Sequence, residues 1–235
     1  MQDSNLSVTG RIVFWNVAVE TDRRKLASRL IDIHAEDCIP HERTAFSAAK
    51  IALTKVFKGD YRIEKLKDGE GLTVEKITRG ETENTYNQVG YVLVDDKTGT
   101  LETVRITDYS IDDRWALVDK INDQFEVEKN LCSANAVGLA LAKAIDKNDG
   151  YRLRPTGGVY FLPSFSGDKF QQIAEVFESC GVVGRTMVHR MEVGKDDQTL
   201  RAVHHTIVEN IAERVAEMRE ELAGGLKKAG RNNRK

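Results

Sequence analysis

The chain has 235 residues, of which 40% are hydrophobic and 31% are charged, and its formal net charge at pH 7 is −2. This composition predicts a folded protein with a sizeable core and excludes a chain that is disordered throughout, because disordered chains combine low hydrophobicity with high net charge. The small net charge excludes polyanion binding by the molecule as a whole, so a nucleic-acid contact would need a local basic patch.

The first predicted elements are a strand and two helices. Residues 11–20, with the sequence RIVFWNVAVE, are apolar at both alternating sets of positions, which is typical of a strand covered on both faces. Thr21 is the predicted N-cap of a helix that ends near Glu36, because a threonine hydroxyl accepts a hydrogen bond from the first helical turn. A second helix is predicted from His41 to Phe57, and Gly59 ends it.

The middle of the chain combines a β-meander with two further helices. Residues 61–106 alternate between polar and apolar positions, and this period of two predicts a meander of about four strands with one wet face. Helices are predicted from Asp112 to about Glu128 and from Leu131 to about Asp146. The expected buried stripe of the first of these helices consists of Trp115, Val118, Ile121 and Phe125.

The next segment predicts a hairpin, a helix and a strand. The hairpin spans residues 151–163 around a proline and glycine turn, the helix spans about 166–179, and the strand spans 185–193. On this strand His189 shares a face with two methionines, a placement typical of a core or interface histidine.

The last predicted element is one long helix from Asp196 to about Leu222. Its length is on the order of 40 Å at 1.5 Å per residue, more than a small core usually needs. Either it packs along the whole body or it forms a coiled coil with another chain. Its apolar stripe consists of Leu200, Val203, Ile207, Ile211, Val215, Met218 and Leu222.

Together these elements predict an α+β fold with an antiparallel or mixed sheet, flanking helices, a β-meander in the middle and a long C-terminal helix. We expect one body over residues 1–222, with a subdivision near 148–150 as the alternative, followed by a basic tail over residues 223–235. The sequence contains no signal peptide and no run of about 18 apolar residues, so we expect a cytoplasmic protein that does not contact a membrane.

Motifs that would name a reaction are missing from the sequence. It has neither a P-loop nor a dinucleotide-binding fingerprint. Its three cysteines are far apart and form no CxxC pair, which argues against a disulfide framework or a standard zinc site. We therefore expect no cofactor and no metal. The alternative is an enzyme of unrecognised type that uses the cluster from His34 to Glu42, in which His34, Cys38 and His41 would converge on zinc.

Basic and aromatic residues alternate in the predicted hairpin, an arrangement that sheets use to hold single-stranded nucleic acid. We therefore predict a non-enzymatic binding or assembly protein whose hairpin and basic tail contact single-stranded nucleic acid. The alternative is an oligomeric scaffold or adaptor that binds itself or a protein partner through the long helix. The predicted nucleic-acid contacts are Arg152, Arg154, Tyr160, Arg185, Arg190, Lys227, Lys228 and Arg231.

Overall fold

The computed structural model of the chain describes residues 9–17, 20–67, 69, 71–80, 83–107, 109–154, 157–181 and 185–194, together with single positions and short runs between 201 and 222. Its strands and α-helices in chain order are β1 (Gly10–Asn16), β2 (Thr21–Asp22), α1 (Arg23–Asp32), α2 (Ala45–Val56), β3 (Tyr61–Lys65), β4 (Gly71–Arg79), β5 (Asn84–Asp95), β6 (Thr100–Ile106), α3 (Ile111–Lys129), β7 (Leu131–Cys132), α4 (Ala134–Lys147), β8 (Tyr151–Arg152), β9 (Tyr160–Pro163), α5 (Gly167–Cys180) and β10 (Met187–Val193).

The chain divides into two compact units. Unit 1 contains residues 1–18, 26–39 and 137–235, and unit 2 contains residues 19–25 and 40–136. In chain order, most of unit 2 is therefore an insertion between the first and last segments of unit 1. Residues 148–150, where the sequence placed the alternative subdivision, lie within unit 1.

The α+β class is confirmed, since α-helices accompany antiparallel sheets. The predicted meander corresponds to strands β3 to β6, which pair in sequence order. The predicted long helix from Asp196 to Leu222 falls largely outside the described residues and stays a prediction. Every helix that the structure describes is too short or too polar to cross a lipid bilayer.

The sheet of unit 1 has the strand order β10-β1-β9-β8, with every neighbouring pair antiparallel. If the four strands of this sheet are numbered 1 to 4 along the chain, their spatial order is 4-1-3-2. Helices α1 and α4 lie in sequence between the first two of these strands, and α5 lies between the last two. The succession β-α-β-β-α-β with this strand order is the ferredoxin-like, or split β-α-β, topology.

Strand β1 is central to this sheet because it pairs along both edges. Val13 lies opposite Tyr160 on β9 and opposite Arg190 on β10. The approach to β9 is close at Gly10, where an added Cβ atom would lie 2.4 Å from the Phe161 ring and 2.5 Å from the carbonyl oxygen of Leu162. Only glycine leaves room for this contact.

The start of α1 differs from the prediction by one residue. The backbone N–H of Lys25 donates to Asp22 Oδ1 at 3.0 Å, so Asp22 takes the capping role that we predicted for Thr21. Thr21 instead pairs with Cys132 in the two-stranded ladder of β2 and β7, and it is fully buried. The prediction for Thr21 was wrong because this pairing joins segments that are far apart in sequence.

Unit 2 packs α2 and α3 with the meander around one core. Ile121 and Phe125 of α3 are buried there, but Trp115, which we predicted in the same stripe, is 67% exposed. The stripe therefore begins a turn later than the sequence indicated. The buried residues of this core are Ala45, Ala48, Ala49, Ala52, Leu53, Phe57, Leu72, Val74, Val89, Val92, Val94, Ile106, Ile121 and Phe125.

Glu128 is the buried charge of unit 2, with a side chain that is 2% exposed. Its carboxylate accepts hydrogen bonds from Arg43 at 2.6 Å and from Gln124 at 3.0 Å, and it lies 2.7 Å from Lys55 Nζ. Burial alone would raise the pKa of Glu128, but the hydrogen bonds from Lys55 and Arg43 outweigh it, and the pKa lies below its ordinary value. The carboxylate thus joins α2, α3 and the segment before α2.

We expect Glu128→Ala to lower the free energy of unfolding by about 3–5 kcal/mol, because it leaves the largely buried guanidinium of Arg43 without its carboxylate partner. Since the folded-state pKa is lowered, the contribution of the carboxylate is complete above about pH 4.3 and is lost as pH falls through the folded-state pKa. Urea denaturation at several pH values measures both effects. Glu42→Ala is the control, because Glu42 is 66% exposed and its pair with Arg23 is worth about 1 kcal/mol or less. An equal cost for the two variants would contradict the assignment.

Candidate functional site

The sheet of unit 1 has two faces, which the strand register defines. The inner face carries Arg11, Val13, Trp15, Arg152, Tyr160, Leu162, Val188 and Arg190. The outer face carries Gly10, Ile12, Phe14, Asn16, Tyr151, Phe161, Pro163, Met187, His189, Met191 and Val193.

Helices α4 and α5 lie against the inner face. A Cβ atom added at Gly138 of α4 would lie 3.5 Å from Trp15 Nε1, and one added at Gly167 of α5 would lie 2.8 Å from Arg11 Nη1. At its other end, α5 places Glu178 Oε2 3.8 Å from Arg190 Nη2. This helix layer explains why Val13, Tyr160, Leu162 and Val188 are all buried.

Two of the predicted nucleic-acid contacts, Arg152 and Tyr160, meet on the inner face. Tyr160 is 4% exposed, and its ring stacks on Trp15 with a centroid separation of 4.9 Å and an interplanar angle of 11°. The guanidinium carbon of Arg152 lies 5.7 Å from the centroid of the same ring. The Tyr160 ring is thus covered by this chain, so it has no exposed face on which a base could stack.

The predicted patch of hairpin and strand arginines is not brought together. Arg152 lies on β8 and Arg190 lies on β10, which are the two opposite edges of the sheet. Arg190 is largely buried beside Glu178, and its Nη1 atom, like that of Arg11, is buried without a hydrogen-bond partner among the described residues. Arg190 therefore belongs to the layer between sheet and helices.

The remaining predicted contacts have different positions. Arg154, which follows β8, and Arg185, which precedes β10, are both exposed. Since β8 and β10 are the edge strands, one exposed arginine stands next to each edge of the sheet. The tail residues Lys227, Lys228 and Arg231 lie outside the described residues.

The outer face carries a stacked pair that the sequence did not single out as a site. The rings of Phe14 and His189 lie opposite each other on β1 and β10, with centroids 4.7 Å apart and an interplanar angle of 22°. Met187 and Met191, on either side of His189, are 44% and 52% exposed. The alternation of residues 187, 189 and 191 indicated that they share a face, but it did not indicate that both methionines are exposed. The face is covered in part, because Phe161 is 5% exposed and Val193 is 4% exposed.

The cluster from His34 to Glu42 does not form the arrangement that zinc binding would need. Helix α1 ends at Asp32, and His34 has a left-handed backbone with a φ of 55°. His34 and Cys38 therefore do not share a helix face. Cys38 is 2% exposed, and burial raises the pKa of its thiol. Among the described residues, no three histidine, cysteine, aspartate or glutamate side chains are placed to hold a metal ion.

A family model matches residues 40–235, and its description is a family of unknown function, DUF6744. The chain belongs to this family. The matched range includes β8, β9 and β10 of the candidate site but not β1, which carries Phe14. No curated protein and no solved structure matches the chain.

We expect Arg152→Ala to lower the free energy of unfolding by about 0.5–1 kcal/mol, because it removes a cation from the face of the Tyr160 ring. The matched control is Arg154→Ala in the same hairpin, which we expect to change stability by less than about 0.5 kcal/mol because Arg154 is exposed. Denaturant unfolding followed by tryptophan fluorescence measures both variants. Equal stability of the two variants would show that the contact between the Arg152 guanidinium and the Tyr160 ring contributes nothing to the free energy of unfolding.

Proposed function

We propose that the chain binds single-stranded nucleic acid on the outer face of the unit 1 sheet. The observation that carries the proposal is the partly exposed pair of Phe14 and His189 on the two adjacent strands β1 and β10. A four-stranded antiparallel sheet with aromatic side chains on its open face is an arrangement that stacks unpaired bases. Base stacking is tolerant of sequence, because every base has a π face.

The surroundings of the pair support this proposal. Ile12 and Tyr151 are partly exposed on the same face, and Met187 and Met191 extend its apolar surface. Arg154 and Arg185 stand next to the two opposite edges, where they can bind phosphates of a strand that crosses the sheet. The basic residues Lys227, Lys228 and Arg231 would add charge from the tail.

The test is the affinity of fluorescently labelled single-stranded DNA and RNA, measured by anisotropy at several salt concentrations. We expect binding that weakens as salt rises. Phe14→Leu and His189→Gln keep much of the side-chain volume but remove the stacking surface. We expect each to weaken binding by about tenfold, since one stacked base is worth roughly 1–3 kcal/mol.

Two further variants separate stacking from charge. Phe165→Ala removes an aromatic ring that is 78% exposed in the turn before α5, at a position that is not on a strand of the sheet, and should leave the affinity unchanged. Arg185→Ala should weaken binding for all sequences and reduce the salt slope by about one. No binding at low salt, or unchanged affinity in both Phe14→Leu and His189→Gln, would sink the proposal.

A second candidate function is self-association or partner binding through the C-terminal stripe. Val208, Ile211, Val215, Met218 and Leu222 follow one another at spacings of three, four, three and four residues, and each is between 40% and 68% exposed. The backbone at these five positions is helical. This is the spacing of the apolar positions of a coiled coil.

We expect light scattering to give the full chain the mass of an oligomer. The double variant Val215→Asp with Met218→Asp should be a monomer, because two charges in the stripe prevent its burial. Arg219→Glu with Glu220→Lys is the control for surface charge, since both side chains are exposed beside the stripe and the double change preserves the net charge. A monomeric wild type over the micromolar range would exclude self-association, and the stripe would then need a different protein as its partner.

A further inference from the structure

Unit 2 contains a cavity of about 610 Å³ between the end of α2, the start of β3 and the middle of α3. Small-molecule sites usually have volumes of roughly 300–1,000 Å³. The cavity is built entirely from residues of unit 2 and does not involve the sheet of unit 1. A ligand site here would therefore be separate from the outer face.

Four lining residues that pack against the core form what we call the floor of the cavity, and two of them carry hydroxyl groups. Val56, Tyr61, Tyr109 and Leu117 line it, and all four pack against the core of unit 2. The hydroxyl oxygens of Tyr61 and Tyr109 lie 2.9 Å apart and form a hydrogen bond. Hydroxyl groups both donate and accept, so this pair can bind a polar group of a ligand whose body covers the apolar floor.

The charged side chains that line the cavity, among the described residues, are all lysines. Lys55 lines it, but its ammonium group lies 2.7 Å from Glu128 and 3.0 Å from Glu20, so its charge is compensated. Lys58 and Lys120 are exposed lining residues for which the described part of the chain provides no ion pair. Among the described residues, no carboxylate lines the cavity. Two cations for which the described residues provide no ion pair thus lie beside an apolar floor.

We propose that this cavity binds a small organic anion, a phosphate monoester with a flat apolar body. The apolar body would lie on Val56 and Leu117, and Lys58 and Lys120 would hold the phosphate. Two lysines match the charge of a phosphate monoester, and a flat body buries more of the floor than a compact inorganic ion does. The proposal is independent of the function proposed for unit 1.

The experiment is a titration of the ¹⁵N-labelled full chain with phenyl phosphate, followed by ¹H–¹⁵N NMR. We expect a Kd on the order of 1 mM for so small a ligand. The largest shift changes should fall in residues 55–61 and 109–124. Phenol, which lacks the anion, and inorganic phosphate, which lacks the ring, should each bind at least about fivefold more weakly than phenyl phosphate. The double variant Lys58→Ala with Lys120→Ala should bind phenyl phosphate more weakly by a similar factor.

The matched control is Lys50→Ala with Lys97→Ala, which removes two exposed lysines of unit 2 that do not line the cavity. It should bind phenyl phosphate like the wild type. The proposal would be overturned if phenol or inorganic phosphate bound as tightly as phenyl phosphate. An equal loss of affinity for phenyl phosphate in the two double variants would also overturn it. Shift changes confined to unit 1 would also overturn it, and they would leave the nucleic-acid proposal untouched.

Discussion

The pairing of β1 along both of its edges is the constraint on which unit 1 depends. Its partners, β9 and β10, come from the far end of the chain, after all of unit 2. Closing so long a loop is opposed by chain entropy, and non-local pairings form slowly. The meander of unit 2 pairs only sequence neighbours, so its contacts are local. Unit 2 also closes a long loop, where β2 pairs with β7, but its four-stranded sheet contains only pairs of sequence neighbours. Unit 1, in contrast, has no central strand without its first residues.

The carboxylate of Glu128 is the corresponding constraint in unit 2. Glu128 binds Lys55 and Gln124, which both line the cavity, as well as Arg43. Because Glu128 and Glu20 neutralise Lys55, the lining lysines for which the described residues provide no ion pair are the exposed Lys58 and Lys120. Cations at an exposed position lose little hydration energy when an anion binds. The arrangement thus separates charges that stabilise the unit from charges that can meet a ligand.

The sequence predicted what local periodicity controls. It predicted the meander, the hairpin and α5, and it predicted that Met187, His189 and Met191 share a face. Residue patterns did not reveal features that depend on distant pairings. They predicted a strand β1 that is covered on both faces and a Tyr160 that contacts nucleic acid, whereas the helices lie against the face that carries Tyr160 and Phe14 lies on the other face. The edge positions of β8 and β10, which separate Arg152 from Arg190, follow only from the strand order.

The chemistry of the outer face also limits what kind of nucleic-acid binding it can support. Base-specific recognition needs hydrogen-bonding groups at fixed positions against base edges. Among the described strand residues of this face, Asn16, Tyr151 and His189 have polar side-chain atoms, and the others are apolar. Methionine side chains adapt to partners of different shape. Such a surface favours stacking and apolar contact over readout of base edges, so the proposed binding would discriminate single strands from duplexes more than one sequence from another.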